Sequence, residues 1–482
     1  MRLTAPASTT HVGRVEIRGL QRIVELDTLG TSTGPVRLPR TPHDPLTPDA
    51  QGHQSPVIAT ESVSSQDLYK IQSRTAIVVP CKDESLDNMQ GVWAAVPASS
   101  LLIVVSASDP ETYACERDAL RAFCQQTGRN ALCIHQGDPK VARAVTAAGM
   151  AEFVDQDGNG LVHKGKGEAM AVGIALAATA HNMGNVPVYY KYIGFVDADN
   201  LVPGSVQEYC RAFSAGLFLA QAQDSMVRIS WASKPKIHNG QLEFKKSGRS
   251  SEIVNRWLNK LLSELDAKVE TVAGDNATDT HTGQLICTGN AGEHAMTISL
   301  ALKLRVANGY AIEPFHFLDM IERFAGQARE AASPALTPPI SPVPIMTETG
   351  TTMQILQIRT INPHFHADKG EEHVAKMWKH GLSAIYHSPL TESAALSQFR
   401  EELRRTISGH EDLDESSKLP TSKDLLAEQA VDVKTDLWQP ERCRIYQPLA
   451  SANLFKLRKD LETEEGSFWF SGMKHVGTGL AL

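Results

Sequence analysis

The sequence predicts an α/β fold, a mostly parallel sheet with helices on both faces. Apolar runs rich in β-branched residues, such as TAIVVP at 75–80 and LLIVV at 101–105, are typical of buried strands. Stretches of helical length separate these runs, and this alternation is typical of parallel sheets covered on both sides. Polar residues follow two of the strands directly. Because such sheets bind ligands at the carboxyl ends of their strands, we expect a ligand site at that edge.

The predicted elements follow one another in order along the chain. The first strand, TAIVVPCKDE, leads into a polar turn, and Pro203 lies near the start of a later helix, where proline is favoured. Further strands are predicted in SLLIVVSAS (100–108), NALCIHQ (130–136), YYKYIGFVDADN (189–200), DSMVRISWAS (224–233) and TTMQILQIRTINPHFH (351–366). Helices are predicted in ETYACERDALRAFCQQTG (111–128), KGEAMAVGIALAATAHNMG (166–184), PGSVQEYCRAFSAGLFLAQ (203–221), GEHAMTISLALKLRVANG (292–309), EPFHFLDMIERFAGQA (313–328) and EEHVAKMWKHGLSAIYHS (371–388).

The composition is that of an ordinary globular protein, with 42% hydrophobic and 21% charged residues among 482. A formal net charge of −8 argues against a nucleic-acid binder and against binding to anionic membranes. The chain has no apolar run of membrane-spanning length and no hydrophobic signal core, so we expect a cytoplasmic protein. The seven scattered cysteines, without a CxxC pair, favour reduced thiols over a disulfide framework.

The stretch YIGFVDADN ends an apolar strand with two carboxylates, Asp197 and Asp199. A divalent cation would neutralise their repulsion, and oxygen ligands suit hard ions such as Mg²⁺ and Mn²⁺, which also bind diphosphate oxygens. A polar turn that closes the strand explains the same residues, and D-x-D occurs often by chance. The position of the pair at the carboxyl end of a buried strand favours the metal site.

Two motifs place lysines where they could contact phosphates. In VVPCKDES, Pro80 fixes the chain as it leaves the first strand, and Lys82 and Glu84 could contact a nucleotide. A surface turn would have much the same sequence. In HKGKGEAM, Lys164 and Lys166 alternate with glycines that allow close backbone approach, ahead of a helix whose N-terminus favours an anion. The alternative is a solvated basic turn, and the motif is not a Walker A loop.

The Gly-rich stretch CTGNAGEHAM precedes a predicted helix and could form an anion site. The N–H groups of Gly289 and Asn290, with the hydroxyl of Thr288, could hold a phosphate or a carboxylate. The alternative is a capped helix start with Asn290 as the cap.

The stretch NPHFH follows a predicted strand and places His364 and His366 on one face if the strand continues. Two histidines near a suspected metal site favour one of them as a ligand. The sequence lacks HExxH and a GxGxxG after the first strand. These absences argue against a zinc protease and a dinucleotide-dependent dehydrogenase.

In this order, VVPCKDE, KGKGEAM, YIGFVDADNLVPGSV, CTGNAGEHAM and NPHFH resemble the mannosyl-3-phosphoglycerate synthases. The resemblance covers roughly residues 72–395 and implies a GT-A-type, Rossmann-like fold with a C-terminal acceptor-side subdomain. It implies a retaining glycosyltransferase that moves mannose from GDP-mannose to the 2-hydroxyl of 3-phosphoglycerate, with Mg²⁺ or Mn²⁺ as cofactor. We further expect a homodimer and neither a nucleic-acid nor a membrane partner.

The resemblance also implies roles for individual residues. Asp199 would bind the metal together with His364 or His366, of which His364 is slightly preferred. The expected donor contacts are Pro80, Lys82, Glu84, Lys164, Lys166 and Asp197. The expected acceptor contacts are Thr288, Gly289, Asn290 and Arg228. Glu313 would contact the transferred hexose, and the expected catalytic residues are Asp197, Asp199, Lys166 and Glu313.

We divide the chain into four regions on this basis. Residues 1–70 form a partly flexible N-terminal extension, although VGRVEIRGLQRIVEL alternates like a strand, and the core is expected to begin with the strand TAIVVPCKDE. Residues 71–225 form the nucleotide-sugar-binding half, and 226–395 the half that binds the acceptor and supplies the metal-binding histidine. Residues 396–482 form a C-terminal region with a polar insertion at 408–437.

Three other functions are weighed against mannosyl transfer. The first is glucosyl transfer to the same acceptor, which differs only in the donor. The second is a sugar-nucleotide pyrophosphorylase, which normally carries a Gly-rich signature at the first strand that VVPCKDE lacks. The third is a non-catalytic protein that binds a nucleotide sugar, which the complete set of motifs argues against.

Overall fold

A computed structural model of the chain describes residues 1–6, 8–27, 36–37, 57–180, 189–238, 241–245, 248–265, 268–271, 284–326, 353–366, 370–409, 438–462 and 469–471. Most of the stretch predicted to be flexible in the N-terminal extension, and nearly all of the polar insertion, lie outside the described residues. Within the described residues, no helix combines the length and the apolar character needed to cross a membrane.

Strands and helices alternate through most of the described chain. The strands are β1 (Arg2–Thr4), β2 (Ser8–Val12), β3 (Val15–Glu25), β4 (Val36–Arg37), β5 (Val57–Ile58), β6 (Thr60–Ser62), β7 (Thr75–Cys81), β8 (Leu101–Ser106), β9 (Asn130–His135), β10 (Tyr192–Phe195), β11 (Asp224–Ser230), β12 (Lys234–His238), β13 (Gln241–Lys245), β14 (Lys268–Thr271), β15 (His294–Thr297), β16 (Val306–Ala307), β17 (Met353–Arg359), β18 (Ile445–Tyr446) and β19 (Trp469–Ser471). The α-helices are α1 (Ser65–Gln72), α2 (Leu86–Ala95), α3 (Pro110–Thr127), α4 (Pro139–Ala147), α5 (Lys166–Thr179), α6 (Pro203–Leu219), α7 (Arg249–Glu264), α8 (Ile298–Lys303), α9 (Ile312–Phe324), α10 (Glu371–Tyr386), α11 (Ser397–Ser408) and α12 (Leu454–Glu462).

One large sheet organises these elements. Its central strands lie side by side in the order β9, β8, β7, β10, β15, β11, β17 and β3. The pairs β9–β8, β8–β7, β7–β10, β11–β17 and β17–β3 are parallel, whereas β15 is antiparallel to both of its neighbours. Antiparallel strands extend the sheet at both ends, with β2 and β14 beyond β3 and β19 beyond β9.

Helices cover both faces of this sheet. Side chains alternate along β7, so that Ala76 and Val78 join one apolar cluster while Ile77 and Val79 join another. The first cluster includes the apolar residues of α5, and the second includes those of α2 and α6. A sheet buried on both faces explains why its strands are near-continuous apolar runs rather than alternating ones. The predicted α/β class is confirmed.

The helix predicted over residues 292–309 is wrong. The chain there forms β15, the short helix α8 and β16. In β15, His294 lies opposite Phe195 of β10 on one side and opposite Arg228 of β11 on the other. Hydrogen bonding to two neighbouring strands overrides the local helical pattern of the sequence.

The main sheet also begins earlier than expected. Residues of β3 pair in parallel with β17, for example Val15 with Met353 and Ile17 with Ile355. The N-terminal segment therefore belongs to the sheet itself, and the first core strand in sequence precedes TAIVVPCKDE. The strand-like alternation of VGRVEIRGLQRIVEL is confirmed as β3.

The carboxyl ends of β7, β10, β11 and β17 lie along one edge of the sheet, which we call the carboxyl edge. Because β15 is antiparallel, its amino end lies at the same edge. The predicted motifs VVPCKDE, VDADN and NPHFH follow β7, β10 and β17, and CTGNAGEHAM leads into β15. The topology therefore brings four of the five motifs to one edge, where such sheets bind ligands.

Candidate active site

The turn after β10 and the loop after β17 are joined by direct hydrogen bonds. The backbone N–H of Leu201 donates to the carbonyl of Phe365 at 2.9 Å. The hydroxyl of Ser205, in the first turn of α6, donates to the carbonyl of Pro363 at 2.9 Å. The two segments that carry the predicted metal ligands are therefore neighbours, as the strand order of a parallel sheet allows.

A partly buried ion cluster of Lys166, Asp197 and Glu313 lies at this edge, and we call it the lysine–carboxylate cluster. The Nζ atom of Lys166 lies 2.6 Å from Oδ1 of Asp197 and 2.8 Å from Oε1 of Glu313. Lys166 is the first residue of α5, and Glu313 lies in the first turn of α9. Three of the predicted catalytic residues therefore meet, although Lys166 and Glu313 are 147 residues apart in sequence.

The charges in this cluster support one another. Burial alone would lower the pKa of Lys166, but the carboxylates of Asp197 and Glu313 outweigh it and hold the pKa well above its usual range. Lys166 is therefore a permanent cation. Glu313 is 1% exposed, and its Oε2 atom has no hydrogen-bond partner among the described residues. A buried carboxylate oxygen without a partner is suited to accept a hydroxyl of a ligand.

Gly292 is required where the chain passes this cluster. A Cβ atom at this position would come within 2.3 Å of Oδ2 of Asp197 and 2.7 Å of Nζ of Lys166. Any side chain at Gly292 would therefore displace the ion pair. This close approach accounts for one glycine of CTGNAGEHAM.

His364 has the environment of a neutral imidazole ligand. It is 3% exposed, and its ring stacks on Trp231 with 3.9 Å between the ring centroids and 9° between the planes. Burial, the charge of Lys234 and the neighbouring His366 hold the pKa of His364 well below its usual range, against the opposing charge of Asp199. The ring is therefore neutral at neutral pH, as a metal-binding imidazole must be.

A carboxylate and a neutral imidazole fit Mn²⁺ or Mg²⁺ as a two-residue protein set. The described residues contain no group of three or more His, Cys, Asp and Glu placed to hold a metal ion, so Asp199, His364 and His366 do not form one. One carboxylate and one imidazole are enough for an ion that takes its remaining ligands from diphosphate oxygens and water, as Mg²⁺ commonly does. The ring centroids of His364 and His366 are 5.1 Å apart.

Glu293 belongs to the site and is absent from the sequence predictions. It is fully buried, and its carboxyl accepts hydrogen bonds from Nδ2 of Asn200 at 3.2 Å and from Nε1 of Trp231 at 3.1 Å. Burial, and secondarily the charge of Asp197, raises the pKa of Glu293 to about 8. The sequence signal for this residue is that Glu293 is the one acidic residue of the Gly-rich motif CTGNAGEHAM.

The predicted anion site at Thr288, Gly289 and Asn290 is not supported by the structure. The Thr288 hydroxyl donates to Gln357, and the N–H of Gly289 donates to the Asn255 side chain. The Asn290 amide donates to a serine hydroxyl, although its Oδ1 atom has no partner among the described residues. Because the loop leads into a strand, it also lacks the helix N-terminus that would favour an anion.

Arg228 lies behind this loop rather than on its surface. The side chain is fully buried and donates to the backbone carbonyls of Thr288 and Glu313 at 2.9 and 3.0 Å. Its guanidinium also lies over the ring of Phe317. Burial lowers the pKa of Arg228 to about 10, which still leaves it charged at neutral pH. Its contacts indicate a role in holding the loop and the start of α9, and the predicted acceptor contact is not supported.

Close packing requires glycine at two positions of KGKGEAM. A Cβ at Gly167 would lie 2.0 Å from the carbonyl oxygen of Ala307, and one at Gly165 would lie 2.2 Å from Oε2 of Glu168. These two close contacts account for both glycines of the motif. Lys164 is exposed, whereas Lys166 is directed into the lysine–carboxylate cluster. The two lysines of the motif have different environments.

The predicted nucleotide contacts lie at the end of β7. Parallel pairing of β7 with β10 places Pro80 and the residues after it beside the turn that carries Asp197. Lys82 is exposed and Glu84 is half-buried. The residue between them, Asp83, has a left-handed backbone with φ of 55°, and its N–H donates to the Ser108 hydroxyl. This turn is therefore fixed at the carboxyl edge.

Comparison with known proteins identifies relatives over most of the chain. A family model described as mannosyl-3-phosphoglycerate synthase matches residues 5–461. The chain is 34% identical over 393 residues to the mannosyl-3-phosphoglycerate synthase of Pyrococcus furiosus, covering 81% of this chain and 85% of that protein. It is 32% identical over 347 residues to that of Aeropyrum pernix, covering 71% and 80%.

Solved structures of glucosyl-3-phosphoglycerate synthase from Mycobacterium tuberculosis are more distantly similar. A complex with Mn²⁺, UDP-glucose and glycerol 3-phosphate aligns at 13% identity with a TM-score of 0.40, over 67% of this chain and 84% of that one. A complex with Mg²⁺ and UDP aligns at 15% with a TM-score of 0.39, over 67% and 83%. Similarity at this level says nothing about the ligands of this chain. The family match and the two archaeal relatives confirm the resemblance of the motifs, and the chain belongs to the mannosyl-3-phosphoglycerate synthase family.

Proposed function

We propose that this protein transfers mannose from GDP-mannose to the 2-hydroxyl of 3-phosphoglycerate, with retention of configuration and with a divalent metal as cofactor. The observation that carries the proposal is the lysine–carboxylate cluster at the carboxyl edge, beside Asp199 and His364, in a member of this family. The site combines a permanent cation, a buried carboxylate oxygen without a partner among the described residues, and two metal-ligand types. Groups of these kinds stabilise the charge that develops in transfer from a nucleotide sugar.

Charge on the leaving diphosphate is the main electrostatic demand of this reaction. Asp199 and His364 would hold Mg²⁺ or Mn²⁺, which supplies positive charge against the departing GDP. Lys166 would add a fixed cation that needs no reorganisation, since its neighbours already hold it in place. Lys164, with Pro80, Lys82 and Glu84, would contact the nucleotide and its phosphates from the neighbouring turns.

Sugar orientation would fall to the two carboxylates of the cluster. Asp197 would contact the ribose or the mannose. The Oε2 atom of Glu313, which has no partner in the part of the chain that the structure describes, would accept a hydroxyl of the mannose. Both carboxylates share Lys166, and this pairing stabilises their negative charge and weakens them as nucleophiles. A covalent glycosyl-enzyme formed on either residue is therefore disfavoured.

We favour a front-face reaction for this reason. The bond from the acceptor 2-oxygen to the anomeric carbon forms as the bond from that carbon to the diphosphate oxygen breaks. The proton of the 2-hydroxyl passes to the departing phosphate oxygen, so a protein base is not required. The acceptor side is assigned to residues 226–395 and the donor side to 71–225 as part of this proposal.

A donor and acceptor panel tests the proposal. GDP release is expected with GDP-mannose only when both 3-phosphoglycerate and Mg²⁺ or Mn²⁺ are present. Faster release of nucleoside diphosphate from GDP-glucose or UDP-glucose would indicate a glucosyltransferase, and conversion of GTP and mannose phosphate to pyrophosphate would indicate a pyrophosphorylase. Tight GDP-mannose binding without product under either metal would contradict catalysis. We also propose that the protein is a homodimer, and light scattering of the purified protein tests this.

A further inference from the structure

One tyrosine contacts the proposed metal-binding histidine on the ring nitrogen that is not needed for a metal. Tyr209 is fully buried on α6, and its hydroxyl oxygen lies 3.2 Å from Nδ1 of His364. Trp231 stacks on the same imidazole, so that the plane of the ring is fixed as well. An imidazole can bind a metal only through a nitrogen that carries no proton. The direction of the hydrogen bond between Tyr209 and Nδ1 therefore decides which nitrogen of His364 is available to a metal.

The other contacts of Tyr209 fix this direction. The Ser205 hydroxyl donates to the carbonyl of Pro363 at 2.9 Å, and Ser205 also hydrogen-bonds Tyr209. A carbonyl can only accept, so the proton of Ser205 is committed to it and the serine oxygen is free to accept from Tyr209. The Tyr209 oxygen then accepts from Nδ1 of His364. The chain of donors runs from His364 through Tyr209 and Ser205 to Pro363.

Glu293 lies near the same nitrogen without hydrogen-bonding to it. Its Oε1 atom is 3.9 Å from Nδ1 of His364 and accepts from Nδ2 of Asn200 instead. The Tyr209 oxygen is therefore the acceptor that Nδ1 contacts, and a neutral imidazole carries one proton. This contact favours the tautomer with the proton on Nδ1.

We infer that Tyr209 is a positioning residue for divalent-metal binding, because it fixes the His364 tautomer whose Nε2 lone pair is available to the ion. The inference rests on the proposed function for the existence of the metal site. It also selects His364 over His366 as the imidazole ligand, since it is His364 that this chain of hydrogen bonds orients. Partners of this kind, which hold the second nitrogen of a metal-binding histidine, commonly set metal affinity.

Metal affinity measured without turnover tests the inference. The probe is Mn²⁺ titrated into the full-length protein with saturating GDP, with free Mn²⁺ followed by electron paramagnetic resonance. Tyr209→Phe removes one hydroxyl and is expected to weaken Mn²⁺ binding by roughly tenfold, as is usual for such supporting contacts. Ser205→Ala leaves the Tyr209 proton without its acceptor, so Mn²⁺ binding is expected to weaken here too.

A matched control separates this effect from the loss of any buried hydroxyl. Tyr113 is partly buried, its ring stacks on that of a histidine, His135, and its hydroxyl donates to the carbonyl of Cys133 at 3.5 Å. Tyr113→Phe is expected to leave Mn²⁺ affinity within about twofold of wild type, because it does not contact a proposed ligand. An equal loss of affinity in Tyr113→Phe and Tyr209→Phe would overturn the inference.

A spectroscopic measurement reports the His364 tautomer in the wild-type protein, and a variant is needed only to assign the signal. In metal-free protein labelled with ¹⁵N-histidine, the His364 signal, assigned by its loss in His364→Gln, is expected to show a protonated Nδ1 and an unprotonated Nε2. A proton on Nε2, or Mn²⁺ affinity unchanged in Tyr209→Phe while His364→Gln abolishes binding, would overturn the inference and leave the proposed function standing. Unchanged Mn²⁺ affinity in His364→Gln would instead overturn the metal site of the proposed function, and the inference with it.

Discussion

The turn after β10 and the loop before β15 have similar sequence signals, but the structure uses their polar groups in opposite ways. Both motifs are short, polar and adjacent to a buried strand, and both were predicted to bind a ligand. In the turn, Asp197 and Asp199 remain partly exposed, and Asp197 meets a lysine at the carboxyl edge. In the loop, Thr288 and Gly289 direct their donors to neighbouring side chains. Only the turn keeps charged groups available to a ligand.

The difference indicates that a ligand site is best recognised by donors, acceptors and charges that are not already paired within the protein. Arg228 is an example among the cations. It was predicted to bind the acceptor, but its guanidinium donates to backbone carbonyls of the protein. Glu313 is an example among the carboxylates. Its Oε1 atom is paired with Lys166, whereas its Oε2 atom has no partner among the described residues. The comparison therefore predicts large catalytic effects in the turn and its cluster, and small ones at Thr288 and Gly289 of the loop.

Removal of the cluster cation is expected to have the largest effect. Lys166→Met should lower kcat/KM by roughly 10³-fold, because the leaving diphosphate loses a preorganised cation and the carboxylates of Asp197 and Glu313 lose their partner. Steady-state rates of GDP release measure this. Lys191→Met, at an exposed lysine just before β10, is the control and should stay near wild type. A Lys166→Met enzyme of similar activity to the control would contradict a catalytic role for the cluster.

The two aspartates of the turn should fail in different ways. Asp199→Asn is expected to weaken Mn²⁺ binding by roughly 10²-fold or more, because it removes a charged metal ligand. Asp197→Asn should retain Mn²⁺ binding and lose kcat/KM instead, since its carboxylate is paired with Lys166. Calorimetric titration of Mn²⁺ with GDP present, alongside kinetics, distinguishes them. Equal effects of the two variants on both quantities would show that the carboxylates are interchangeable.

The raised pKa of Glu293 predicts a pH dependence of the free energy of unfolding. Its pKa is raised to about 8 in the folded protein, whereas an unfolded glutamate titrates near about 4.3. Between these values the native state holds a proton that the unfolded state has released, so the free energy of unfolding falls as the pH rises, and levels off above 8. The slope contributed by this one group approaches about 1.4 kcal/mol per pH unit at most.

Urea unfolding of the metal-free protein at several pH values between 5 and 8 checks this dependence. Glu293→Gln cannot titrate, so its stability should fall less over the same range than that of wild type. Asp224→Asn is a matched control. Asp224 is a buried acid that pairs with Lys303, and it lies at the amino end of β11, away from the carboxyl edge. Parallel pH curves for wild type and Glu293→Gln would contradict the raised pKa.

The smallest catalytic effect is expected in the loop. Thr288→Val removes a hydroxyl that donates to Gln357 and should lower the free energy of unfolding by about 1 kcal/mol, the usual value for one hydrogen bond. The KM for 3-phosphoglycerate should change by less than about threefold, because the hydroxyl is not available to the acceptor. A large increase in that KM at unchanged stability would restore the loop as an acceptor site and end the contrast with the turn.

Most of the fold could be predicted from the sequence because buried parallel strands carry a strong signal. The runs that became β7, β8 and β10 are short, apolar and β-branched, and helices of clear length separate them. The strand β15 could not be predicted in this way, since its four residues have no strand pattern of their own and owe their conformation to β10 and β11.

The site was predictable where topology alone brings residues together. The carboxyl ends of β10 and β17 had to share an edge, so the proximity of Asp199 to the NPHFH motif followed from strand direction. The contact between Lys166 and Glu313 did not follow, because it depends on how two helix starts pack. Glu293 was missed for a related reason: whether a carboxyl is buried and what it accepts are properties of the packed protein.

The most direct measurement of the central claim is the identity of the first product formed from GDP-mannose, 3-phosphoglycerate and Mg²⁺, followed by proton NMR from the start of the reaction. The account predicts a single phosphorylated product with mannose on the 2-oxygen and the α configuration of the donor retained. Formation of this product should fall with Lys166→Met in proportion to GDP release. A product of inverted configuration, or one formed at an undiminished rate by Lys166→Met, would contradict the account.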